Sequence, residues 1–229
     1  MTSIITIPGL GGHESVFKDY AGALPNFDTR LLKLIDHRKT EEEIFQAVAK
    51  EGAVIILSNC YGSIPALRAL GRISGNSAKL IIIEPFFAEF FWWRKLALLV
   101  ARGILGFMRF TDRLGLRRPW LVKNVDYVYF SRYPLFVQPV IDIFHQSMTD
   151  YFAKIVDLLE FSLPDLVETE TLLIFSPRGY FEDLQRRGRM LRRFSRASAE
   201  EVSGLTHNIV TVSRKEIIGI VGDWLRKRS

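Results

Sequence analysis

Short, continuously apolar runs alternate along this chain with stretches of helical period. Ser3–Ile7, Ala53–Leu57, Lys79–Ile83 and Thr171–Phe175 are rich in aliphatic and β-branched residues, and each predicts a strand buried on both faces. Arg30–Ile35 predicts one more strand. Between them, Phe17, Tyr20, Ala21 and Leu24 recur at helical spacing within Glu14–Leu24. Thr40-Glu41-Glu42-Glu43 reads as a capping box opening a helix that stops near Gly52. A helix is predicted through Ile64–Ile73. Ser213 is expected to cap a last one, Arg214–Arg226, with Ile217, Ile218, Val221, Trp224 and Leu225 on its inner side. Buried strands separated by helices predict an α/β fold, with a mostly parallel central sheet and helices on both faces.

The stretch from Phe86 to about Pro164 breaks this alternation. It is long, aromatic and helical in pattern, opening with Phe86-Phe87-Ala88-Glu89-Phe90-Phe91-Trp92-Trp93. Insertions in open α/β sheets sit over the ligand crevice at the C-terminal strand ends. Residues 86–164 are therefore expected to form a helical lid, with 1–85 and 165–229 as the core. Glu89, Arg94, Lys95 and Arg102 interrupt the most apolar part, which excludes a transmembrane helix and leaves an interfacial one open.

The chemistry centres on Val54-Ile55-Ile56-Leu57-Ser58-Asn59-Cys60-Tyr61-Gly62-Ser63. A buried strand runs into a tight turn and then a helix. Ser58 and Gly62, two residues either side of Cys60, are small enough for a strained turn to lift its side chain above the sheet. The helix N-terminus behind it favours a thiolate. Taken alone, a cysteine at a strand end is most often a small buried hydrophobe.

The Ser58-x-Cys60-x-Gly62 spacing resembles the nucleophile elbow G-x-S-x-G of the α/β-hydrolase superfamily, in a variant with a cysteine nucleophile. Pro8-Gly9-Leu10-Gly11-Gly12 is similar to that family's oxyanion loop, with Pro8 where histidine is usual. Leu34-Ile35-Asp36-His37-Arg38 looks like its strand ending in D-x-R. The resemblance implies an oxyanion hole from the backbone N–H groups of Leu10 and Tyr61. It implies His207, in Gly204-Leu205-Thr206-His207, as general base to Cys60. Gly179 falls where the family's acid would align; Asp183 is preferred for that role, with Glu182 or no acid at all as the alternatives. Substrate contacts are expected from Gly9, Gly11, His13, Phe87 and Trp92, and the lid suggests an apolar pocket. His37 and His145 read as structural.

Composition narrows the remaining choices. A chain of 229 residues buries enough surface for one core without staples. Its single cysteine allows no internal disulfide. With no signal-peptide pattern at Met1–Gly12, the cytoplasm is the expected location. No metal spacing is present, and the glycines lack the Lys-Ser/Thr or ribose-binding acid of a nucleotide loop, so no cofactor is expected. The net charge of +6 is concentrated in Arg109–Arg118 and Arg178–Arg196. Such surfaces attract acidic partners, and no nucleic-acid motif accompanies them.

The leading expectation is an acyl-thioester-processing enzyme, hydrolytic or acyl-transferring, working through a covalent Cys60 intermediate. Its substrate would be an acyl thioester presented by an acidic acyl carrier protein or coenzyme A. The competitors are a C–C bond-forming, cyclising or cleaving enzyme on a polyketide-like substrate, and a non-catalytic binding protein on the same scaffold.

Overall fold

The computed structural model describes residues 3–10, 17–24, 27–32, 37–51, 53–73, 78–115, 148–176, 183–202 and 213–228. Among them, strands β1 (Ser3–Ile7), β2 (Asp28–Leu31), β3 (Val54–Asn59), β4 (Lys79–Ile83), β5 (Glu170–Phe175) and β6 (Ala197–Glu201) form one sheet. Its order is β2-β1-β3-β4-β5-β6, and every pairing is parallel. The helices are α1 (Lys18–Ala23), α2 (His37–Glu51), α3 (Ser63–Gly71), α4 (Arg94–Arg113), α5 (Met148–Glu160), α6 (Leu184–Leu191) and α7 (Arg214–Arg226).

The inner strands β1, β3, β4 and β5 are largely apolar because both faces of the sheet are covered there. Alternate side chains separate into two cores, as a period of two requires. Ile5, Ile7, Ile56, Leu80, Ile82, Leu173 and Phe175 join Ile44 and Val48 of α2, Ile64 and Leu67 of α3, Leu105 of α4 and Met190 of α6. Ile4, Ile55, Leu57, Ile81, Ile83, Leu172 and Ile174 meet Phe17 and Tyr20, and Ile217, Val221 and Trp224 of α7. Burial pushes the Tyr20 phenol above its ordinary range.

Several boundaries differ from the sequence reading. Helix α2 begins at His37, so Thr40 lies inside its first turn and is buried instead of capping it. Strand β2 starts at Asp28 and ends at Leu31, earlier than Arg30–Ile35; residues 33–36 lie outside the described set. Strand β6, Ala-Ser-Ala-Glu-Glu, was not expected at all. It is polar because it pairs on one side only and stands at the sheet edge, where solvated side chains are favoured. Ser213 does precede α7, but its side chain makes no capping hydrogen bond.

The described parts of the 86–164 segment bury into the same core as α2 and α3: Phe86, Phe87 and Ala88, Ala101 and Leu105 of α4, and Val156 and Leu159 of α5. Arg94 ties α4 to the end of α5. Its Nε donates to Leu159 O at 2.6 Å, and its Nη2 donates to Glu160 O at 2.8 Å and Phe161 O at 3.2 Å. Carbonyls at a helix C-terminus lack intrahelical partners, and a guanidinium satisfies them. No described helix is long and apolar enough to cross a membrane.

Candidate active site

Strand β1 pairs with β2 on one side and β3 on the other, so the chain reverses its direction of travel across the sheet there. The C-terminal ends of β1 and β3 flank that reversal, which is where open α/β sheets form their ligand crevice. The Pro8-Gly9-Leu10 turn leaves one end, and Asn59-Cys60-Tyr61-Gly62 leaves the other.

Cys60 adopts φ 47°, a left-handed conformation that an ordinary side chain adopts only under local constraint. Asn59 before it is extended, and Cys60–Gly62 forms a short 3-10 turn that runs straight into α3. This is the strained strand-to-helix bend expected of the elbow. Ser63 Oγ closes it by donating to Cys60 O at 2.7 Å, and Ser58 Oγ donates to Ile81 O at 3.1 Å. The positive end of the α3 peptide dipoles lies at the bend. Cys60 is a free thiol with 6% of its surface exposed.

Two glycines let the elbow and the β1 loop meet. A Cβ on Gly62 would stand 2.5 Å from Pro8 O and 2.7 Å from Ile7 O, closer than atoms can pack. A Cβ on Gly9 would stand 3.5 Å from Cys60 Cβ and 3.1 Å from Asn59 Nδ2. The glycine loop is therefore in contact with the cysteine. Leu10 follows, half-buried against the first core.

The sequence reading missed Glu84. The β3–β4 register matches Asn59 with Ile83, so Glu84 leaves the end of β4 as Cys60 leaves the end of the neighbouring β3. Glu84 has φ 50°, and with Cys60 it is one of two non-glycine residues of positive φ among the described residues. It is 2% exposed. Its N–H donates to Ile174 O at 2.8 Å, and its carboxylate accepts the N–H of Ser176. Asn59 Oδ1 and Ser176 Oγ, at the same rim, are buried without hydrogen-bond partners among the described residues. Strained backbone and unsatisfied polar atoms cluster at functional sites. An acid directly after the run Leu80-Ile81-Ile82-Ile83 was the available sequence signal.

The other expected site residues fall in different surroundings. Asp183 is the N-cap of α6, accepting from Gln185 N at 2.9 Å and Arg186 N at 3.3 Å. The backbone N–H groups of Arg186 and Gln185 hold its carboxyl below the usual range. Phe87 was expected to touch substrate, yet it is fully buried, its ring 6.1 Å from that of Phe161 and 6.5 Å from that of Phe194. That surrounding makes it a packing residue. Trp92, expected in the same role, is 88% exposed. Gly11, His13, Glu182 and His207 lie outside the described residues, as does His145.

Tyr61 is fully buried, and its hydroxyl donates to Asp157 Oδ2 of α5 at 2.8 Å. Arg68 of α3 grips the same carboxylate with Nη2 at 2.7 Å and Nη1 at 3.1 Å. Burial works against the Arg68 charge, but Asp157 outweighs it and holds the guanidinium above its ordinary value. Asp157 also lines a cleft of about 460 Å³ between α4 and α5, walled by Arg38, Arg102 and Arg109. Cys60 does not line that cleft; the Asp157–Tyr61 bond links the two places.

No protein-family model matches the chain, and no curated protein matches it in sequence. Solved structures do resemble it. The type II thioesterase BorB from the borrelidin biosynthetic cluster aligns over 98% of this chain and 91% of its own, with a TM-score of 0.62 and 14% identity. A thermophilic esterase from Thermogutta terrifontis aligns over 99% and 90%, at 0.66 and 11%. MenH from S. aureus aligns over 99% and 94%, at 0.63 and 13%. The chain has the α/β-hydrolase fold.

Proposed function

We propose that this protein is an acyl-thioester hydrolase with Cys60 as its nucleophile. The observation that carries the reading is the left-handed backbone of Cys60 at the C-terminal end of β3, with Gly9 packed against it. A position strained in this way is maintained where it serves a function. Thioesterases and esterases among the resembling structures support the reaction class.

In the proposed cycle His207 takes the Cys60 thiol proton, and the resulting thiolate attacks the carbonyl carbon of the thioester. The carbonyl oxygen becomes an oxyanion facing the N–H groups of Leu10 and Tyr61, which stabilise charge that exists only in the transition state. Collapse expels the substrate's thiol, protonated by His207, and leaves the acyl group on Cys60. His207 then takes a proton from water, the resulting hydroxide attacks the acyl-enzyme, and the free acid leaves. Glu84 is the acid we assign to orient His207: it is buried just past the end of β4, the strand next to the one that ends at Asn59, whereas the Asp183 carboxylate is engaged in capping α6.

Sulfur at this position also favours a second outcome. The acyl-enzyme is itself a thioester and stays activated, so an acceptor other than water would receive the acyl group. Acyl-coenzyme A esters and acyl groups on an acidic carrier protein are the substrate class proposed, their negative charges complementing the arginine-rich surface.

The test is a panel of acyl-coenzyme A and aryl esters with wild type, Cys60→Ala and Cys60→Ser. Turnover should fall by about a thousandfold or more in Cys60→Ala. Intact-mass spectrometry should find the acyl group on the wild-type chain and not on the variant. Iodoacetamide should label Cys60 and inactivate in parallel. Full turnover in Cys60→Ala defeats the proposal.

A further inference from the structure

Helix α4 carries two apolar faces, and among the described residues only one of them is buried in the core. Ala101 and Leu105 are buried in the core. On the other side Leu96, Leu99, Phe107 and Phe110 are 59–69% exposed, and Trp92 and Leu114 extend the row at 88% and 55%. At 100° per residue the four positions inside the helix, Leu96, Leu99, Phe107 and Phe110, fall within an arc of about 80°, roughly opposite Ala101 and Leu105. Isolated exposed apolar residues need no explanation, but a contiguous row the length of a helix marks an interaction surface.

The charge beside the row identifies its occupant. Lys95, Arg102, Arg109 and Arg113 project along one flank of the stripe, over about 27 Å at 1.5 Å per residue. Among the described residues no ion pair engages Lys95, Arg109 or Arg113, while Arg102 meets Glu160 at 2.7 Å. An apolar stripe with tryptophan and phenylalanine, edged by a row of cations, suits the boundary between acyl chains and anionic headgroups. A second copy docked antiparallel on the same stripe would set one cationic row against the other, and like charges facing across an interface oppose association. We propose that α4 docks this protein on anionic membrane surfaces, its outward stripe entering the headgroup region and its basic flank reading the lipid charge. This inference does not depend on the chemistry assigned to Cys60.

The test is sedimentation of the full chain with vesicles of phosphatidylcholine alone and with about a third phosphatidylglycerol. Wild type should sediment with the anionic vesicles, less with the neutral ones and less in high salt. Leu99→Gln combined with Phe107→Gln changes only exposed side chains and should weaken binding roughly tenfold or more. Binding should blue-shift the fluorescence of wild type, and Trp92→Phe should remove that shift. Failure of wild type to bind anionic vesicles overturns the proposal, as does equal binding by the double variant. A dimer in light scattering that the double variant converts to monomer also overturns it, assigning the stripe to a second copy.

Discussion

At the scale of single residues, the site depends on how closely two turns approach. Gly62→Ala places a methyl group into Pro8 O and Ile7 O, and neither backbone can yield without moving the glycine loop. The expected cost is about 2 kcal/mol in urea denaturation, with turnover lost as Gly9 and Leu10 shift. Glu84→Gln keeps an acceptor for the Ser176 N–H but removes the charge. Folding should be retained while kcat falls about tenfold or more. The acid limb of the kcat/KM profile should move to lower pH, because an imidazole without its carboxylate partner binds its proton less tightly. An unaltered profile argues against Glu84 as the orienting acid. Cys60 and its small neighbours were legible in the sequence because elbow geometry imposes a local spacing. Glu84 was not, because its relation to Cys60 is one of strand register, which residue order along the chain does not encode.

At the scale of elements, two contacts separate structural from catalytic roles. Asp183→Ala removes the N-cap of α6 and should lower the thermal midpoint without changing kcat. Asp183→Asn, whose amide oxygen still accepts, should restore most of the midpoint. The folded-state value of Asp183 is depressed. Its contribution is therefore present at neutral pH and is lost as pH falls through that value. Asp183→Asn should flatten this part of the acid dependence, measured as midpoint against pH. Arg94→Ala uncaps the end of α5 and should cost about 2 kcal/mol, with faster amide exchange at Leu159–Phe161. Apolar period marked β1, β3, β4, β5 and α7 in the sequence, since burial on both faces of a sheet or one face of a helix forces it. The same logic hid β6, whose edge position removes the need for apolar side chains.

At the scale of the whole molecule, the aromatic insertion and the turn leading into α3 share one polar anchor. Asp157 of α5 holds Tyr61 and Arg68 together, so Asp157→Ala strands a buried hydroxyl and a partly buried guanidinium. About 3 kcal/mol of stability should be lost in chemical denaturation, more than for Asp157→Asn. The sequence by itself determined the α/β class, the parallel sheet and the tight turn at Cys60, because hydrophobic period and turn chemistry act between residues close along the chain. Only the tertiary structure decided that Glu84 follows the strand paired with the one Cys60 follows, that Asp183 caps a helix, and that Phe87 packs the core while Trp92 faces outward. Those outcomes depend on which strands become neighbours and which face of each element is covered, and long-range packing sets both.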